Sequence, residues 1–121
     1  MKEIKSHKDL LIWQKGIEIT VSVYQLVESF PKDEVYALSN QIKRAAVSVP
    51  SNIAEGYGRN SNKSFHHFLS ISRGSLFELE TQLRIAEKLN FIENKNLFDQ
   101  TQKLIEEESK MINAFSKSLI H

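Results

Sequence analysis

Apolar residues recur along most of this chain at steps of three and four, the spacing that stacks them on one face of a helix. No stretch alternates with period two for long. Four glycines and two prolines supply the punctuation, and they divide the chain into four segments. The first opens near Ser6, whose hydroxyl can cap free backbone N–H groups while Asp9 sits three residues on. Leu10, Trp13, Ile17, Val21 and Tyr24 give its core stripe, Leu11, Val23, Leu26 and Phe30 widen it, and Pro31 ends it. The second starts around Asp33 and Glu34, acidic groups suited to the positive end of a helix dipole. Its core face is Leu38, Ile42, Ala45, Val49 and Ile53, and it gives out at Gly56-Tyr57-Gly58. Pro50 lies inside it and removes one backbone hydrogen bond, which predicts a kink or an opened turn.

Ser61 or Asn62 caps the third segment, where Phe65, Leu69, Ser72, Leu76, Leu79, Leu83 and Ala86 alternate steps of four and three as a heptad seam. The fourth carries one stripe of Leu97, Leu104, Met111 and Phe115 and another of Phe98, Ile105, Ile112 and Leu119. The expected helices are 7–30, 33–57, 62–90 and 94–120. Short connections favour antiparallel neighbours. The fold class is therefore all-α: one domain over 1–121, an antiparallel up-down-up-down four-helix bundle with its second helix kinked at Pro50.

A lone bundle needs one inward stripe per helix. The second stripe of helix four, together with Trp13, Phe68 and Phe77, is surplus to that need. Either the core is broad, or these faces mediate self-association; the weight falls on a homo-oligomer.

Composition narrows the chemistry. A chain of 121 residues is long enough to bury a core without staples, and it has no cysteine for disulfides, thiolate metal sites or a thiol nucleophile. The charged start to Asp9 does not resemble a signal peptide, and the longest apolar run, Leu10 to Trp13, is far short of the ~20 residues that span a bilayer. A cytoplasmic protein with no membrane partner is expected. His66 and His67 are adjacent, so on a helix they point ~100° apart and cannot share an ion. Gly56-x-Gly58 lacks the lysine and strand context of a phosphate loop, and Glu106-Glu107-Glu108 reads as a solvated face. No set of residues assembles a reaction centre, so the expectation is no enzyme, no cofactor, no metal and no small-molecule substrate.

Net charge is only +1, but residues 40–75 carry Lys43, Arg44, Arg59, Lys63 and Arg73 against Glu55 alone. On a helix Arg44, Ser48, Asn52, Glu55 and Arg59 make one polar stripe. If the turn is centred near residue 60, Arg44 lies within reach of Glu78 or Glu80. One reading is a structural network of Arg44, Ser48, Asn52, Glu55, Arg73 and Glu78 that fixes register, with Asn52 serving the carbonyl that Pro50 leaves free. The other makes Lys43, Arg44, Arg59, Lys63 and Arg73 phosphate contacts to nucleic acid, with Tyr57, Phe65 and His66 near enough to stack on bases. The structural reading carries more of the weight.

The same residues carry a resemblance. Asp9-Leu10 to Trp13-Gln14-Lys15, Phe30-Pro31, Gln41 to Ala46, Ser48 to Gly56, Gly58-Arg59, Phe68-Leu69, Arg73 to Leu76 and Glu78 to Leu83 together resemble the four-helix bundle family encoded by intervening sequences in bacterial 23S ribosomal RNA genes, also called the S23 ribosomal protein family. Gly16 and Ser72 stand where that pattern has alanine, departures that loosen packing slightly. The resemblance implies a pentameric ring and an association with RNA or with a nucleic-acid enzyme. It is also similar to the accessory variability determinant of diversity-generating retroelements, a pentameric reverse-transcriptase partner. The alternative is a protein-interaction scaffold that never touches nucleic acid.

Overall fold

The computed structural model describes residues 3–34 and 37–119, so positions 35 and 36 of the expected second helix and position 120 of the expected fourth lie outside the described part. Four α-helices carry the fold: α1 (Leu11–Val27), α2 (Leu38–Gly58), α3 (Asn62–Lys88) and α4 (Lys95–Ser118). Ser6 and Asp9 do form the expected capping box, but around a separate 3-10 turn, His7–Asp9, after which Leu10 is extended and α1 begins. A second 3-10 turn, Lys32–Glu34, stands where the start of the second helix was expected. Side chains cap the later helices: Ser61 accepts from the Ser64 N–H at 3.1 Å and Asn94 from the Leu97 N–H at 3.0 Å. Asn60 and Asn90 end α2 and α3 with φ of 58° and 62°, the left-handed region in which asparagine is tolerated better than most residues.

Each helix packs on two neighbours, α1 on α2 and α4, and α3 on α2 and α4. Along the α1–α2, α2–α3 and α3–α4 contacts the residue numbers rise on one helix as they fall on the other. Gly16 faces Pro50 while Thr20 bonds the Ala46 carbonyl. Gly56 faces Phe65 and Phe68, while Ser48 meets Ser75. Phe115 packs on Phe65 and Phe98 under Arg84.

The core stripes of α2 and α3 are those the periodicity predicts, except that Leu38 at the start of α2 is only half-buried: Ile42, Ala45, Val49 and Ile53 oppose Phe65, Leu69, Ser72, Leu76, Leu79, Leu83 and Ala86, all buried. α1 is rotated from the expectation. Its buried residues are Ile12, Gly16, Ile19, Val23, Leu26 and Val27, whereas Ile17, Val21 and Tyr24, expected inside, are 39, 53 and 43% exposed. The phase is set by Gln14, Glu18, Gln25 and Glu28, which recur along one side and must face water.

α4 reverses the expected order of its stripes. Phe98, Ile105 and Ile112 are fully inside, and Leu97, Leu104, Met111 and Phe115 are half-buried along the flank. The supposed surplus on α4 is thus core, and the exposed apolar side chains lie chiefly on α1 and α3. α2 stays helical from Leu38 to Gly58 through Pro50, so no turn opens there. The carbonyl that the proline leaves without its usual donor is that of Ala46, and the hydroxyl that approaches it belongs to another helix: Thr20 Oγ1 lies 3.1 Å from it and 2.8 Å from the Gly16 carbonyl, so one proton is shared between the two. Asn52 instead donates to the Ser48 carbonyl at 2.8 Å, correcting the role expected for it.

Candidate functional site

The polar stripe on α2 resolves into two clusters. At mid-helix, Ser48 and Ser75 share a hydrogen bond of 2.8 Å across α2 and α3, and Asn52 donates to the Ser48 hydroxyl at 2.8 Å. Beside them Ser72, fully buried, donates to the Val49 carbonyl at 2.8 Å. Rather than loosening the core, Ser72 ties the two helices together. Toward the turn, the Arg59 guanidinium pairs with Glu55 at 2.9 Å within the same helical run and lies over the Phe68 ring at 5.0 Å. Among the described residues no ion pair crosses from α2 to α3. Arg44 and Glu78 are both exposed and do not meet, so neutral hydroxyls span the interface where charges were expected.

The five basic residues do not converge. Lys43 lies 5.0 Å over the Tyr24 ring, on the α1 side of α2. Arg59 and Lys63 flank the exposed α2–α3 turn, and Arg44 projects from the α2 surface. Arg73 lies in the groove between α3 and α4, its guanidinium 5.4 Å from the Phe77 ring. Because α1–α2 and α3–α4 are opposite faces of a ring of four helices, Lys43 and Arg73 cannot grip one stretch of backbone.

Glu108, expected in a solvated run, is completely buried, and neither carboxyl oxygen has a hydrogen-bond partner among the described residues. It follows Ile105 by three residues and precedes Ile112 by four, a heptad core position that the neighbouring glutamates disguise. Burial pushes its pKa from 4.5 up to about 8, against the opposing pull of Lys15. Lys15 itself is held by exposed Glu107 at 3.3 Å, the one ion pair that joins two helices among the described residues. The carboxyl sits where three helices meet: a Cβ built on Gly16 would come within 3.3 Å of Glu108 Oε2 and 3.2 Å of Pro50 Cβ.

Two surfaces remain as candidate sites. On the α1–α2 face, Ile17, Val21 and Tyr24 are joined by Val47, 40% exposed, with half-buried Trp13 beyond them. On the α3–α4 face, two adjoining hollows of about 360 and 260 Å³ share Arg73 and Phe77. Among the described residues no group of three His, Asp or Glu is placed to hold a metal ion, and no helix is long and apolar enough to cross a membrane.

An all-α bundle with hydroxyl-pinned helices, an apolar face and an open groove defines the class of protein. The chain belongs to the family of 23S rRNA-intervening sequence proteins, whose model matches residues 8–114, from the turn before α1 to the last turns of α4. Comparison with curated proteins gives no match.

Proposed function

We propose that the chain works as a non-enzymatic binding protein that assembles with copies of itself through the α1–α2 face. The observation that carries this reading is the run of Ile17, Val21, Tyr24 and Val47, apolar yet 39 to 53% exposed on two adjacent helices. Large apolar side chains left exposed on neighbouring helices mark a candidate interaction site. Lys43 is folded over Tyr24, and the charges beside the face, Glu18 and Glu28, lie along its solvent edge. A second copy offers apolar surface of the same kind. Ile85 near the end of α3 and Leu89 just after it, 45 and 52% exposed, form a separate apolar patch, and two unlike patches are what a closed ring requires. A ring of five is the number that the resemblance suggests.

Sedimentation of the full chain at micromolar concentration is expected to show a defined oligomer, and Val21→Lys is expected to dissociate it without unfolding α1. A monomeric native chain would end this reading.

The second reading, association with RNA, rests on Arg59 and Lys63, both exposed at the α2–α3 turn. Two phosphate contacts would give single-stranded RNA a log–log salt slope of about −1.4. Binding that is absent at low salt, or flat with salt, would leave the protein-interaction scaffold.

A further inference from the structure

The groove between α3 and α4 lies opposite the proposed assembly face and is chemically different from it. Its upper hollow, about 360 Å³, is lined by His66, Ser70, Arg73, Phe77, Asn113 and Ser116 among others, and by no carboxylate. The polar side chains there are uncommitted. Arg73 Nε is buried without a hydrogen-bond partner, and the side chains of His66, Ser70, Asn113 and Ser116 make no hydrogen bond or ion pair among the described residues. Elsewhere the hydroxyls of Ser29, Thr81, Thr101 and Ser118 each bond a carbonyl of their own chain three or four residues back. The hydrogen-bonding capacity of the His66, Ser70, Asn113 and Ser116 side chains is therefore left unused within the bundle.

Arg73 is also prearranged. Its guanidinium rests 5.4 Å from the Phe77 ring, while Phe77 stays 53% exposed and so keeps a ring face for another planar group. Gly74 adds no bulk: a Cβ there would meet nothing within 4 Å. The carboxylates Glu80 and Glu106 line only the lower hollow, where Lys110 pairs with Glu106 at 3.5 Å.

We propose that this upper groove binds a nucleotide, free or within a single-stranded chain, with a phosphate oxygen on Arg73, the base against Phe77, and Asn113 or the serine hydroxyls on its polar edge. A planar guanidinium suits an oxyanion, an exposed aromatic face suits an unpaired base, and the hollow is near the lower end of the roughly 300–1,000 Å³ of small-ligand sites. The site stands independently of assembly through α1–α2.

Calorimetric titration of the full chain at low salt with uridine monophosphate, a five-nucleotide uridine RNA and inorganic phosphate tests it. Both nucleotide probes are expected to bind, phosphate more weakly. Phe77→Ala should weaken the nucleotides roughly five- to a hundredfold while leaving phosphate unchanged. Arg73→Gln should weaken all three, roughly tenfold or more. Equal affinity for the two nucleotide probes marks a free nucleotide as the ligand, and markedly tighter RNA marks a strand. Three results would overturn the proposal: no heat of binding at millimolar nucleotide, binding untouched by both substitutions, or a smaller oligomer in Phe77→Ala, which would mean a second copy fills the groove. If Arg73→Gln does not fold, Phe77→Ala decides alone, since its side chain is largely outside the core.

Discussion

Glu108 shows how far one side chain's chemistry depends on its surroundings. In the unfolded chain its carboxyl ionises near 4.5, and in the core near 8, because the charged form loses its water and gains only the distant help of Lys15. Below 4.5 both states are neutral and the residue leaves stability unchanged with pH. Between 4.5 and 8 the unfolded chain gives up a proton that the folded chain keeps, so stability falls as pH rises, by up to about 1.4 kcal/mol per unit. Glu108→Gln removes that slope. Urea midpoints at pH 5 and pH 8 should therefore diverge between the two proteins, the variant gaining at the alkaline end; parallel curves would show that Glu108 is solvated. Gly16 belongs to the same spot, since its missing side chain is what allows Pro50 and Glu108 to approach α1.

At the scale of elements, α2 is an unbroken helix with a proline in its middle, and its neighbours compensate. Thr20 of α1 brings a hydroxyl to the carbonyl that Pro50 leaves unmet, sharing its proton with the Gly16 carbonyl. Thr20→Val is expected to cost about 1–2 kcal/mol, the penalty for a poorly satisfied buried acceptor. In a Pro50→Ala background, where the backbone N–H returns, that cost should largely disappear. A double-mutant cycle by urea unfolding reads the coupling, and additive effects would separate the two residues. The α2–α3 contact closes on Gly56, where a Cβ would stand 2.8 Å from Phe68 Cβ and 3.0 Å from Phe65 Cδ1. Gly56→Ala is therefore expected to destabilise by about 1–3 kcal/mol through overpacking, in spite of alanine's better helix propensity. A stabilised variant would mean that the two helices separate freely.

For the whole molecule, the distribution of apolar surface is the governing fact. α1 is apolar on two sides, and only one of them is needed to close the bundle. If the other is covered by further copies, unfolding and dissociation are linked, and the thermal midpoint should rise with protein concentration. Val21→Lys should abolish that dependence. A midpoint independent of concentration in the native protein would argue for a self-sufficient monomer.

The heptad seam of α3 and the core face of α2 were legible because a nearly continuous apolar stripe runs the length of each helix and most polar residues lie off it. That contrast determines a helix, its inward face and, with short turns, a bundle. The same rule misplaces α1, where apolar residues occur on both sides and the polar ones, Gln14, Glu18, Gln25 and Glu28, carry the phase. It also misplaces Glu108, whose type says surface while its spacing says core. What only the tertiary structure decided was which atoms meet: Thr20 with the Ala46 carbonyl, Ser72 with the Val49 carbonyl, Arg73 with Phe77 and not with Arg59 or Lys43. Periodicity fixes a side chain's direction about its own axis. The partner it finds depends on the rotation and offset of a second helix, and those are set by packing among all four.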